Sequence, residues 1–413
     1  MNRPAPFRLV ILTVCLSLAG ATLAQSETSG QTAGGAYYRI SVPAVWNGDL
    51  VIWNHGTDMT DAAPDPDLGP LAEVHRAEGF AVAASSYRQR GWALFKTIQD
   101  LKALVQAFRA NYGEPRRIFI YGASLGGLVT VQAIEKAHLG NVVGGLLWCG
   151  AMGGSLLWDV ALDLRLVYDA VCSDVPGAGI PGGGRGLPAD THFDAVAVEE
   201  AVNVCTGVDL KKNARTRAQK TRLAQILNSV GGDESFLQTN MWYVTVLMAD
   251  LVDDKGKLKG KIGTGNATVV YPDAEVNATI ERIRAKKRVV RRLAKNYTPS
   301  GKVGSTKLLA LHTDKDDLVF VENIGDYRDK LSDDQLVAAV AVERAPSHCG
   351  FTTAEALASW ESLLEWVNGA ARPDAADVQG MCESIVNLGL APGPCRIDPD
   401  FVIGVLSDRI LTR

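Results

Sequence analysis

The stretch Arg117–Gly127, RIFIYGASLGG, constrains the fold of this chain more than any other. Ile118, Phe119, Ile120 and Tyr121 form an apolar run as long as one buried strand. The run stops at Gly122, and Leu128 to His138 reads as a helix. Between them, Gly122-Ala123-Ser124-Leu125-Gly126 matches G-x-S-x-G. The glycines lack Cβ atoms, so the chain can turn sharply from strand to helix and the two can pack closely. Such a turn lifts the Ser124 hydroxyl off the sheet. It also sets the free N–H groups of a helix N-terminus behind the hydroxyl, where negative charge can develop. The motif is common by itself, and its strand–turn–helix setting gives it weight.

Strand-like and helical stretches alternate around this turn. Ala36–Pro43 reads as an edge strand, with Tyr37, Tyr38, Ile40 and Val42. Leu50–Trp53 is a second strand, ending in Asn54-His55-Gly56-Thr57. Leu71–Glu78 is a short helix and Phe80–Ser85 a strand. Ala93–Tyr112 places Leu94, Ile98, Leu101, Leu104, Val105 and Phe108 at helical spacing, and Asn141–Trp148 is a further strand. The alternation predicts an α/β fold, a mainly parallel sheet with helices on both faces.

At Gly150 the rhythm is lost. Gly177–Gly186, GAGIPGGGRG, lacks the Lys-Ser/Thr of a phosphate loop and reads as flexible. Helices are expected over Thr216–Val230, Phe236–Leu251 and Ala278–Asn296, so 151–305 reads as a mostly helical cap inserted over the active site. The sheet returns with Lys307–Leu311, a helix from Val319 to Leu331 and a last strand, Gln335–Val342. Thr353–Gly369 is an amphipathic helix. The expected division is therefore a signal peptide at 1–24, core at 25–150, cap at 151–305, core at 306–370 and a C-terminal extension at 371–413.

The leader reading rests on Arg3 and Arg8, the apolar run Leu9–Ala19, and Thr22-Leu23-Ala24 as a small-residue cleavage site. It predicts a secreted or periplasmic protein. No later stretch is apolar for long enough to span a bilayer, and Ser26–Gly35 reads as a flexible leader. A net charge of −4 argues against nucleic acid as a partner. The oligomeric state is not legible. Beyond the leader lie Cys149, Cys172, Cys205, Cys349, Cys382 and Cys395. Export predicts disulfides, with local closures Cys172–Cys205 and Cys382–Cys395. Cys149 and Cys349 are then left over, near the proposed active-site loops.

A serine hydroxyl is a weak nucleophile at neutral pH. It needs a base, and the base needs a carboxylate. Candidates for all three follow strands. Ser124 follows one, the loop Asp314-Lys315-Asp316-Asp317 a later one, and His348 the last. In a parallel sheet such loops emerge at one edge and can converge. Asp316 is favoured as the acid over Asp314 and Asp317. Backbone N–H groups of Gly56 or Thr57 could form half of an oxyanion hole. His55 reads as a pocket liner. Trp242 and Tyr243 offer an apolar wall for substrate, or plain helix packing. The cations from Arg282 to Lys295 read as a solvated face or as an attractor of an anionic substrate or surface. Neither a cofactor nor a metal is expected.

His55-Gly56, GASLGG around Ser124, HTDKDDLV around Asp316 and SHCGF around His348 together resemble the α/β-hydrolase superfamily. The resemblance spans about 37–150 and 305–369 and leaves the cap and the C-terminal stretch unmatched. It implies Ser124 as nucleophile, Asp316 as acid, His348 as base, and the Leu125 N–H beside Gly56 or Thr57 as oxyanion hole. Thr313 stands where many relatives have glycine, so the choice among the aspartates stays open. Tannase-like esterases place cysteines beside both serine and histidine. Here Cys349 follows His348 but Ala123 precedes Ser124, so that subfamily is not implied. The expected function is a secreted serine esterase acting on a small-molecule or polymeric ester through an acyl-enzyme. A serine peptidase of the prolyl-oligopeptidase or prolyl-aminopeptidase type and a non-catalytic binding protein are the alternatives.

Overall fold

A computed structural model describes residues 25–188 and 193–413. The leader expected at 1–24 lies outside them. Eight strands form one sheet: β1 (Ser26–Gln31), β2 (Tyr37–Val42), β3 (Asp49–Asn54), β4 (Ala81–Ser85), β5 (Arg117–Ala123), β6 (Val142–Trp148), β7 (Lys307–Thr313) and β8 (Leu336–Ala341). Their spatial order is β1-β2-β4-β3-β5-β6-β7-β8. β2 runs antiparallel to both β1 and β4, and every pair from β4 to β8 is parallel. This is the α/β-hydrolase fold, with β3 and β5 at its centre.

The central strands are nearly continuous apolar runs because helices cover both faces. Successive residues alternate between those faces. Ile52, Ile118 and Ile120 pack with Leu101, Leu104 and Phe108 of helix Thr97–Tyr112 and with Leu128 and Val129 of helix Leu125–Lys136. Trp53, Phe119, Tyr121 and Trp148 face the other way, onto Trp360, Leu363 and Trp366 of helix Thr353–Val367. Between β6 and β7 the described residues form helices, among them Leu157–Cys172, Arg217–Val230, Glu234–Asp253 and Lys287–Tyr297. No helix among the described residues is long and apolar enough to cross a membrane.

Three expectations are corrected. Ser26–Gly35 is not a flexible leader. Ser26–Gln31 is β1, paired residue for residue with β2 and tied by Thr28 to the Tyr112 hydroxyl at 2.7 Å. Its small polar side chains carry no strand signal, and the ladder comes from its partner. Ala278–Asn296 is not one helix. A helix ends at Thr279, residues 280–286 run extended, and a second helix covers Lys287–Tyr297. The extended strip is pinned by Ile283 N–H donating to Asn266 Oδ1 at 2.7 Å. The helix expected from Val319 covers only Asn323–Arg328. The N–H groups of Leu318 and Val319 are bound to Asp316 Oδ1 instead.

Cys172–Cys205 and Cys382–Cys395 are bonded as expected. Cys149 and Cys349 are also bonded, across a sequence separation of 200. The Cys382–Cys395 loop docks the C-terminal stretch on the last strand, where Ile397 bridges to Ala341 and Glu355 pairs with Arg396 at 2.8 Å. This covers a sheet edge that would otherwise be open to other chains.

His75 is fully buried among Phe80, Tyr121 and Trp360, and neither ring nitrogen has a partner among the described residues. Burial pushes its imidazole down to about 3. The unfolded chain therefore binds a proton below about pH 6.5 that the folded chain refuses, and stability falls as pH drops through that window. The wild type is expected to lose roughly 2 kcal/mol between pH 6.5 and 4.5 that a His75→Phe variant keeps. Urea unfolding of both at the two pH values checks this, and equal losses would refute it.

Candidate active site

Four strand ends meet at the carboxyl edge of the sheet. β3 runs into Gly56 and Thr57, β5 into Ser124, β7 into the acidic loop, and the loop after β8 carries His348. Ser124 has φ 58° and ψ −123°, a left-handed conformation that a residue with a Cβ rarely adopts. Backbone bonds hold it there. Its N–H donates to Trp148 at 2.9 Å, and its carbonyl accepts from Gly127 and Ala151. A Cβ on Gly126 would meet Asn54 O at 2.0 Å, and one on Gly122 would meet Gly126 O at 2.3 Å. Both sites therefore demand glycine. A Cβ on Gly56 would stand 3.3 Å from Ser124 Cβ, so the β3 loop lies directly against the serine.

Asp316, buried, is the acid that meets the histidine. Its Oδ1 and Oδ2 lie 2.9 and 2.8 Å from His348 Nδ1. The N–H groups of Leu318 and Val319 also donate to Oδ1, at 3.0 and 2.8 Å. Burial alone would raise this carboxyl. The His348 hydrogen bond, the neighbouring imidazoles and the backbone donor outweigh it and hold the group below the usual carboxylate range. Asp314 accepts instead from the Glu343 N–H, and Asp317 from Thr239 Oγ1. His312, at the end of β7, lies 3.9 Å from Asp316 on its other side. Burial pushes its imidazole down, against the pull of the Asp316 carboxylate.

His348 Nε2 lies 3.5 Å from Cys349 Sγ. Among the described residues it forms no hydrogen bond with Ser124 Oγ. The Cys149–Cys349 bond ties the loop of His348 to the end of β6. That strand end is next to the serine, through the bond from Ser124 N–H to Trp148. Cys149, Asp316, His348 and Cys349 bring donor atoms within 4.8 Å of one another. Both sulfurs are spent on the disulfide and offer no thiolate, so the group does not suit a metal.

A cavity opens at Ser124. Leu125 and Thr57 line it beside the serine, and Trp92, Trp158, Phe236, Tyr243 and Phe320 form much of its wall. Among the described residues no charged side chain faces it. Asn240 reaches the wall, but its Nδ2 is spent on the carbonyls of Phe236 and Asp317. Tyr243 is a liner, whereas Trp242 is not and packs edge-on against Tyr243 at 4.9 Å. His55 is not a liner either. Its ring stacks on Tyr87 at 4.1 Å and its Nδ1 lies 2.8 Å from Gly56 O, an arrangement that braces the loop behind Gly56. Sequence reasoning missed Trp92, Trp158 and Phe320. They come from three distant segments, and none carries a local signal.

No protein-family profile matches the chain. A stretch of 116 residues is 31% identical to o-phthalyl amidase of Xanthobacter agilis, covering 27% of this chain. The chain matches only about a quarter of that protein's length, 25%. Among solved structures, feruloyl esterase B from Aspergillus oryzae superposes with a TM-score of 0.49 at 11% identity, covering 87% of this chain and 85% of that one. An esterase from the same organism gives 0.47 at 13% identity, covering 84% and 80%.

Proposed function

We propose that this chain is an exported serine hydrolase that cleaves carboxylic esters with an apolar or aromatic group beside the scissile bond. One observation carries the reading: His348 Nδ1 is bonded to a buried carboxylate at the sheet edge that also holds Ser124, and an uncharged aromatic cavity opens at that serine. In the proposed mechanism His348 Nε2 takes the Ser124 proton as Oγ attacks the carbonyl carbon. Asp316 holds the Nδ1–H tautomer and stabilises the imidazolium. The N–H of Leu125, with that of Gly56 or Thr57, receives the oxyanion. His348 returns the proton to the leaving alkoxide. Water, activated by the same imidazole, then frees the acid from the acyl-enzyme. The serine–histidine bond is one that often tightens only when substrate binds. The uncharged cavity favours esters over peptides, because among the described residues it offers no carboxylate or cation to grip a peptide terminus. The segment 151–305 reads as the cap that supplies most of this wall. Three disulfides and the leader read at 1–24 support export.

The partial likeness to o-phthalyl amidase favours a second reading, hydrolysis of amides with an aromatic acyl group. A fluorophosphonate probe tests the chemistry first. Wild type is expected to label, Ser124→Ala not at all, and His348→Ala at least tenfold more slowly. Unlabelled folded wild type would overturn the reading. p-Nitrophenyl benzoate and butyrate, set against benzoyl and aminoacyl anilides, then separate esterase from amidase.

A further inference from the structure

From Arg282 to Thr313 the sequence contains no Asp or Glu, while Arg and Lys recur throughout. Five of these ten cations sit on helix Lys287–Tyr297. Its inner face, Val289, Leu293 and Tyr297, is buried, and Tyr297 packs on Phe95 at 4.5 Å. Its outer face presents Lys287, Arg288, Arg291, Arg292 and Lys295, all exposed. Lys287 and Arg291, Arg288 and Arg292, and Arg291 and Lys295 stand about one turn apart, so the charges form a stripe stepping about 6 Å along the axis.

Among the described residues none of the five forms an ion pair with a carboxylate. Like charges one turn apart repel. The cations of the first turn also oppose the helix dipole, and Lys286 at the N-cap position supplies no capping hydrogen bond. The stripe therefore works against its own helix, in a chain whose net charge is −4. A row of anions laid along it would relieve both repulsions.

We infer that this stripe docks a linear polyanion, specifically a carboxylated or sulfated polysaccharide, independently of the hydrolase reading. Such a chain carries its charges at the spacing of one sugar unit, close to one helical turn. A lipid surface fits less well. The apolar face of the helix is already buried, so Val290 alone is left to insert, and a convex stripe touches a plane at few points. Single-stranded nucleic acid fits less well because stacking needs exposed aromatics. The aromatic ring here, Phe95, is buried beneath Arg292.

The test is binding of the purified full chain to polygalacturonate, with neutral dextran as control. Wild type is expected to bind at about 50 mM salt and to weaken at least tenfold by about 200 mM. The variant K287Q/R288Q/R291Q/K295Q is expected to bind at least tenfold more weakly. Its melting temperature should be unchanged or higher, since repulsion has been removed and Arg292 still covers Phe95. Absent wild-type binding, binding without salt dependence, or equal binding by a folded variant would overturn the inference. So would tighter binding of phosphatidylglycerol vesicles or of a single-stranded oligonucleotide than of polygalacturonate.

Discussion

Ser124→Ala is expected to lower kcat on the best ester substrate by about four to six orders of magnitude, with KM changed by less than about tenfold. The proposed chemistry makes its covalent bond at this one oxygen, whereas the cavity that binds substrate is built from other residues. The substitution should also leave the fold intact. Alanine keeps the Cβ, and the backbone bonds that hold the left-handed turn involve no side-chain atom of Ser124. Asp316→Asn should fall nearly as far, because the asparagine offers no charge to a His348 imidazolium and favours the wrong tautomer. Single-turnover kinetics would separate loss of acylation from loss of binding. A Ser124→Ala protein that keeps more than about a hundredth of wild-type turnover would show that the nucleophile lies elsewhere.

Opening the Cys149–Cys349 bond is expected to lower kcat by about a hundredfold at temperatures where the protein stays folded, because a base displaced by about 1 Å loses roughly that much. The bond ties the residue after His348 to the end of the strand beside Ser124. The base loop is otherwise held by the Asp316 hydrogen bonds, by Thr313 Oγ1 donating to the Ser347 carbonyl at 3.3 Å and by Arg396 donating to the Gly350 carbonyl at 2.8 Å. A Cys149→Ser/Cys349→Ser variant isolates the effect. Opening either of the other two bonds should lower the melting temperature and leave kcat within about threefold, since neither touches the site. Full kcat in the Cys149→Ser/Cys349→Ser variant would limit this disulfide to stability alone. KM should move little, because the cavity wall does not include either cysteine.

The fold was legible wherever the signal was local. Apolar runs marked β3, β5, β6, β7 and β8, and the strand–turn–helix around Ser124 was visible from eleven consecutive residues. Signals that depend on a distant partner were not legible. β1 is polar throughout and exists because β2 pairs with it. The charged run after Ala278 looks helical in isolation, but Asn266 holds its first half extended. The pairing of Cys149 with Cys349 follows only once the sheet has brought β6 and the last loop together. Within the acidic loop the sequence favours Asp316 on spacing. What sets it apart in the structure is its contact with His348 from another strand end, a three-dimensional fact. The cavity is the extreme case, since Trp92, Trp158 and Phe320 share neither segment nor motif.

β6 and β7 lie side by side, yet all of 149–306 separates them in the chain. At about 5–20 residues per second, a ribosome needs roughly 10–30 s to make that stretch. Throughout the wait β6 has one paired edge, against β5, and one bare edge of apolar strand. A bare strand edge is a template for other chains. The finished molecule closes it with β7, so the hazard belongs to the half-made protein. Yield in a foreign host should therefore follow how crowded the growing chains are, and sparse, slow initiation should rescue more protein than any substitution on the mature surface.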